Sequence, residues 1–381
     1  MEKLIITIFL FKRVNKILEN GNISSSQFTV LVTFFIIGGS ILYGPTGLVH
    51  GAGQDAWIAN ILVLGMGLLL VLLYNALGSC FPNMTLTEYS EKIFGKWIGK
   101  VVSLLYFTYF FLSTANFVRQ AGDFTTTQFM PDTPITAIHI MFFIIVIMGV
   151  RIGLEPFSRA SEIFFPLVVI LVLILIISLS NQIEFLRIQP VLKEGMTPVI
   201  RVAFHSLGTP YLQLVLLLML FPYVKQTKEA KKSFLFGTLI GGIVLILITT
   251  LSILVLGSEI TERHQFVSYV LARKINVGDF FQRIEAVMAI IWFITMYFKI
   301  SIYFYASVLS LSQVLKLEDY RFLIYPLGII TIVLSLVVNE NIVESNKQAE
   351  FWTSYSLPFG LFFPLLMLIV SKIKKINTKG E

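Results

Sequence analysis

The sequence predicts an all-α polytopic membrane protein with ten transmembrane helices. They form a five-plus-five inverted repeat with broken spans one and six. Three observations predict this. The 381 residues are 56% hydrophobic and only 13% charged, with a mean hydropathy of +0.83, which is more apolar surface than a soluble domain of this size can hide. Apolar runs of about 18 residues or more recur along the chain, the length that carries a helix across the hydrocarbon layer. Two of these runs are interrupted by small and helix-breaking residues at matching places.

In chain order, the spans are expected near 27–49, 56–78, 101–128, 135–150, 157–180, 199–222, 234–257, 283–310, 322–339 and 354–371. Residues 1–25 precede them as a cytoplasmic N-terminal interfacial segment. Its apolar run, Leu4 to Phe11, is too short to span and lacks the cleavage site of a secretory signal, so it reads as a helix on the inner membrane surface. Residues 26–371 form the ten-span membrane domain, and 372–381 form a basic cytoplasmic tail. "TLTEYSEKIFGKW" (85–97) places Thr85 and Glu88 at capping-box spacing and predicts a short amphipathic helix on the inner surface. "TERHQFVSYVLARK" (261–274) reads as a second surface helix, on the outside.

The formal charge is +7, and the cations lie between the apolar runs, so they set topology and do not form a nucleic-acid footprint. With the N-terminus inside, 19 of the 29 Lys and Arg fall in inner segments and 8 in outer ones; Arg119 and Lys299 fall within spans. Both termini are therefore expected in the cytoplasm. The single cysteine, Cys80, excludes an intrachain disulfide. No CxxC pair, HExxH, P-loop, dinucleotide GxGxxG or GxSxG occurs, so the expectation is no enzyme and no cofactor.

Span one carries "IIGGSILYGP" and span six "VAFHSLGTPYLQLVLLL". Five spans per half make the halves antiparallel, and both interruptions fall in the first span of their half, the pattern that marks a substrate site in inverted-repeat membrane proteins. A broken helix frees backbone N–H and C=O groups that cost several kcal/mol each in hydrocarbon unless protein, water or a ligand satisfies them. Half-helix N-termini attract carboxylates and C-termini attract cations. A zwitterionic ligand is thus expected at Gly38, Gly39 and Ser40 and at Ser206, Leu207, Gly208 and Thr209, with Phe204 and Tyr109 as apolar walls. The competing account is that these glycines only allow close helix packing.

Ionisable residues within spans are functional candidates by default. Lys299, near the middle of span eight, is a candidate to contact the ligand, to replace a bound cation or to pair within the core. Arg119 and Asp123, four apart on one face of span three, form a candidate ion pair or gate. Glu155, Arg159 and Glu162 at the start of span five are expected to pair and to form an inner gate or subunit contact.

These residues resemble a known family. "ISSSQFTVLVTFFIIGGSILYGP", "GQDAWIA", "RIGLEPFSRASEIFFP", "QPVLKEGMTPV", "FPYVK" and "FFQRIEAVMAIIW" occur in the order and spacing of the membrane-permease B subunit of bacterial spore germinant receptors. That family lies within the amino acid–polyamine–organocation transporter superfamily. The resemblance implies a small germinant, often an amino acid, as ligand. It further implies A and C subunits as partners and a place in the spore inner membrane. Many relatives carry a Gly-Glu pair in span six where this chain has "YLQLV", so Gln213 stands in place of a charge. A ligand-sensing receptor subunit, a proton- or sodium-coupled amino-acid transporter and a ligand-gated channel all remain compatible with such a fold.

Overall fold

A computed structural model describes residues 21–274, 285–339 and 341–375. The expected interfacial helix near Leu4–Phe11, Arg283 and the end of the basic tail lie outside the described residues. Eight helical stretches among the described residues are long and apolar enough to cross a membrane: Gly44–Cys80, Lys96–Gln128, Ile135–Ile152, Leu154–Gln182, Thr227–Leu256, Glu285–Leu315, Tyr320–Val337 and Phe351–Ile373. The expected spans one and six do not appear as continuous helices, because the chain unwinds within each.

Helix α1 (Ser25–Ser40) starts at a capping box. Ser24 Oγ accepts from Gln27 N, and Gln27 Oε1 accepts from Ser24 N, satisfying two orphan donors. Phe28 and nearly every residue from Val30 to Ser40 are buried, as befits a helix apolar on all sides. After a turn at 41–43 the chain re-enters as α2 (Gly44–Ala52), with Pro45 in its first turn, where a missing N–H is harmless. Helix α3 (Ala56–Cys80) follows. Next comes α4 (Leu86–Phe94), whose expected capping box is present: Thr85 N donates to Glu88 Oε2 at 2.8 Å.

Helices α5 (Lys96–Gln128), α6 (Ile135–Ile152) and α7 (Leu154–Leu179) complete the first half. The second opens with α8 (Met196–Ser206), a turn at 207–211 and a buried 3₁₀ stretch, Leu212–Met219. Eight residues is long for a 3₁₀ helix, and such stretches mark hinges or strained sequence. Then come α9 (Thr227–Leu256), α10 (Ser258–Arg263), α11 (Val267–Arg273), α12 (Glu285–Leu315), α13 (Ile324–Val337), α14 (Ile342–Leu357), a π-turn (Pro358–Phe362) and α15 (Phe363–Ile373). The expected surface helix over 261–274 is thus two helices, split around His264–Phe266.

Helix α1 packs chiefly on α9 and α12, and α12 also on α5. Most of α12 is buried while most of α7 is at least partly exposed, so α12 is central and α7 lies on the outside of the bundle. Exposed Ile163, Ile170 and Ile177 on α7 and Met141 and Met148 on α6 form that outer surface. At one end of the bundle, a lone parallel bridge ties Ile23 to Val224, joining the start of the first broken span to the end of the second.

One close helix crossing runs through Gly38. A Cβ there would stand 2.6 Å from the Thr295 carbonyl oxygen and 3.0 Å from Met296 N, both backbone atoms of α12. Gly38→Ala should therefore cost about 1–3 kcal/mol of stability. Gly65→Ala, with nothing within 4 Å of the new methyl, should be neutral or slightly stabilising. Thermal unfolding of the two purified variants checks this; equal melting temperatures would remove the crossing from the account.

Desolvation beside the capping box raises the Glu88 carboxyl above its ordinary value, partly opposed by the hydrogen bonds from Thr85; the residue itself is exposed, so solvent screens the effect to a small one. The folded chain thus binds this proton more tightly than the unfolded one, so stability falls as pH rises from the ordinary carboxylate range through the raised value. Glu88→Gln keeps the capping geometry and removes the charge. It should melt higher than wild type at neutral pH, with the difference closing in acid; a pH-independent difference would contradict this.

Candidate functional site

The two unwound segments face each other. Helix α2 packs on α8, and they meet where a Cβ on Gly51 would touch the Val202 side chain. Between them lies a cavity of about 330 Å³, lined from the breaks by Gly39, Ser40, Tyr43, Ser206, Thr209 and Pro210. Asn60, Thr249 and Thr353 add polar wall from α3, α9 and α14. Asn60 Nδ2 donates to Thr249 Oγ1 at 2.9 Å. His50 and Glu262 stand at the mouth, with Nδ1 and Oε1 2.8 Å apart and both side chains largely exposed.

The breaks are held open by side-chain hydroxyls. Ser268 Oγ donates to the Ile41 carbonyl, and Thr353 Oγ1 donates to the His205 carbonyl. The Leu207 carbonyl accepts from Tyr211 N and Leu212 N as the turn closes. The Ser40 hydroxyl, by contrast, is buried against the cavity with no hydrogen-bond partner among the described residues. Ser40 ends α1 and Ser206 ends α8, so two C-terminal dipole ends meet the cavity beside the N-terminus of α2. The cavity can therefore hold one positive and one negative group.

Several sequence candidates fall elsewhere. Gly38 lies against the backbone of α12 and Gly208 against Thr353, whose Cα would be 2.6 Å from an added Cβ; both are close-packing positions. Phe204 is 54% exposed, because it sits on the face of α8 turned away from the bundle, and Leu207 packs into the core. Neither walls the cavity. Tyr109 reaches the last span: its hydroxyl donates to Ser356 Oγ at 3.1 Å and its ring stacks on Phe359 at 4.4 Å.

Lys299 is fully buried, and its Nζ has no hydrogen-bond partner among the described residues. It lies 4.5 Å from the Phe117 ring and 4.8 Å from the Phe35 ring, in cation–π range of both. A Cβ on Gly39 would come within 2.5 Å of Nζ, so the bare α-carbon of this cavity-lining glycine makes room for the ammonium. Arg119 Nε and Asp123 Oδ1 form a buried pair at 2.9 Å. Glu155 and Arg159 pair at 2.6 Å on an exposed face, where such a pair contributes little. Glu162 does not join them as expected. It accepts from Ser26 Oγ and, at 3.0 Å, from Gln27 Nε2, fastening α7 to the start of α1.

Sequence reasoning missed His50, Asn60, Thr249 and Glu262. Asn60 was detectable as an amide inside an apolar span. The other three become site residues only through tertiary placement.

Comparison with known proteins agrees with this geometry. The chain is similar to two solved transporters: MhsT in complex with L-phenylalanine (TM-score 0.68, 16% identity, covering 91% of this chain and 87% of that one) and Mhp1, a nucleobase-cation-symport-1 family transporter with bromovinylhydantoin bound (TM-score 0.70, 10% identity, 94% and 82%). At these identities the likeness establishes the fold. In sequence it is 32% identical to spore germination protein KB of Bacillus subtilis, over 96% of this chain and 99% of that protein, and 27% identical to YndE of the same organism, over 94% and 99%. The profile of the spore germination protein family matches residues 22–343. With that match over most of its length and a transporter-type fold around two facing helix breaks, the chain belongs to the spore germination protein family.

Proposed function

We propose that this protein is the ligand-sensing membrane subunit of a spore germination receptor and binds a small amino-acid-like germinant in the cavity between the broken helices. One observation carries the reading: both breaks line the same cavity, with the Ser40 hydroxyl unspent. Its volume of about 330 Å³ falls within the range of about 300–1,000 Å³ usual for small-molecule pockets. The ligand's amine lies toward the C-terminal ends of α1 and α8 at Ser40 and Ser206, and its carboxylate toward the N-terminus of α2. No bond-making chemistry is assigned to the site.

In this reading the two broken segments complete ten spans in an inverted five-plus-five repeat, with both termini cytoplasmic in the spore inner membrane. The cavity then opens outward past His50 and Glu262. The cytoplasmic end is held shut by Glu162 on Ser26 and Gln27 and by the Ile23–Val224 bridge. A and C subunits complete the receptor. A transporter reading is favoured by the structural neighbours alone, and uptake of labelled amino acids into proteoliposomes separates the two.

In a variant lacking Cys80, Gln54→Cys should react with a membrane-impermeant maleimide on intact cells, and Lys372→Cys only after permeabilisation. Labelling of residue 372 from outside would overturn the orientation.

Gly39→Ala pushes the Lys299 ammonium aside without touching backbone. It should lower the affinity of the purified subunit for its amino acid at least tenfold and shift the melting temperature little, the reverse of Gly38→Ala. Lys299→Met removes a buried charge, so it should fold at normal abundance and lose the germination response. Isothermal titration and germination assays check these. Wild-type affinity in Gly39→Ala with wild-type response in Lys299→Met would move the site elsewhere.

A further inference from the structure

A second, smaller cavity of about 50 Å³ adjoins the first. It is lined by Asn116, Phe117, Gln120, Gln213, Gln348 and Trp352, and it shares Thr209 with the main cavity. Its walls hold four carboxamides, a hydroxyl and an indole, and no carboxylate or cation. Asn339 Nδ2 donates to Asn116 Oδ1 at 3.3 Å and to Gln348 Oε1 at 3.0 Å, so part of this set is already paired and fixed. Gln213 is not. It is fully buried, and neither its Oε1 nor its Nε2 has a hydrogen-bond partner among the described residues. The Trp352 Nε1 donor is unpaired in the same sense.

An orphan carboxamide inside an apolar bundle is expensive on both its donor and its acceptor side. Its complement must offer both functions at once. A cation would meet the Nε2 and indole donors with no carboxylate to hold it. An anion would meet the carbonyl oxygens of Gln213 and its neighbours. A neutral carboxamide or hydroxyl satisfies donor and acceptor together, and a space of about 50 Å³ accepts such a group or a few waters, since one water needs about 10–15 Å³.

We propose that this cavity is the side-chain subsite of the germinant. The ligand's charged groups lie in the main cavity, and its uncharged, hydrogen-bonding end passes Thr209 and pairs with Gln213. The ligand class is therefore a small neutral amino acid with a carboxamide or hydroxyl side chain, in preference to an apolar or charged one. This rests on the amino-acid reading of the main cavity.

The test is titration of the purified full chain in nanodiscs with matched pairs: L-asparagine against L-leucine and L-aspartate, and L-threonine against L-valine. Asparagine or threonine should bind at least tenfold more tightly than its isosteres, because a site built to pair a polar group rejects an analogue that leaves its partners unpaired. Gln213→Leu should erase that preference while leucine binding holds or improves; Gln348→Leu, in the same lining, should weaken it. Gly39→Ala should lower all the amino acids alike. Binding without preference in the wild type, or a uniform loss in Gln213→Leu, would overturn the subsite while leaving the main-cavity reading intact. No binding by any of the five would overturn both.

Discussion

A backbone that leaves the helix inside a membrane must find new partners for its amides and carbonyls, and that constraint organises this protein. Two segments, 41–43 and 207–211, leave the helix between apolar stretches. Water cannot satisfy them from the lipid side. The bundle supplies hydroxyls in its place: Ser268 for Ile41, Thr353 for His205, and Tyr74, whose hydroxyl reaches both the Leu212 carbonyl of the 3₁₀ stretch and the Gly360 carbonyl of the π-turn. Tyr106 serves the Phe359 carbonyl in the same way. Each donor comes from a different element, so each break locks several helices around itself. The cavity is the space this arrangement leaves over, and the Ser40 hydroxyl beside it has no hydrogen-bond partner among the described residues.

The same requirement divides the helices into two populations. Those that support the breaks, α1, α5, α9 and α12, are buried and carry glycine where backbones approach; Gly38, Gly237 and Gly241 each stand against a neighbouring helix. Those that wrap the outside, α6, α7 and α13, present isoleucine and valine to lipid and make few polar links inward. Glu162 is an exception. From an outer helix it fastens the first residues of α1, so a movement of α7 changes what holds the end of the bundle closed. In a two-state receptor such a contact belongs to one state only, and a ligand shifts the balance through whatever it binds differently in the two.

The fold was largely legible in the sequence because lipid imposes it. Length, apolar runs and the paired interruptions predicted the helical bundle, the capping box at Thr85 marks a real helix start, and the Arg119–Asp123 spacing matches a real ion pair. Of the candidate site, the sequence located the breaks and not their orientation. Interruptions in sequence locate a break, but they do not say which side of it faces the cavity. Gly38 and Gly39 are adjacent and both face α12, yet Gly38 stands against its backbone at Thr295, while Gly39, about 100° further round the helix, stands against the Lys299 side chain and lines the cavity. Phe204 looked like a wall from spacing and faces outward for the same reason. His50 and Glu262 are ordinary surface residues in one dimension, made site residues by the fold. Arg159 and Glu162 had pairing distance in sequence, yet Glu162 found better-placed donors in Ser26 and Gln27.

Lys299 shows how these features depend on one another. Two aromatic faces in cation–π range give an ammonium an estimated 0.5–2 kcal/mol each. Removing the charge from water costs several kcal/mol even after the protein relaxes. The rings do not close that gap, and no hydrogen-bond acceptor does so among the described residues. What lies nearest is the bare face of Gly39, and beyond it the cavity that Gly39 and Ser40 line. A ligand carboxylate held at the N-terminus of α2, which opens on the same cavity, would offset part of the cost of the buried charge across a medium of low dielectric. Ligand and lysine would then stabilise each other through a glycine that contributes nothing but its missing side chain.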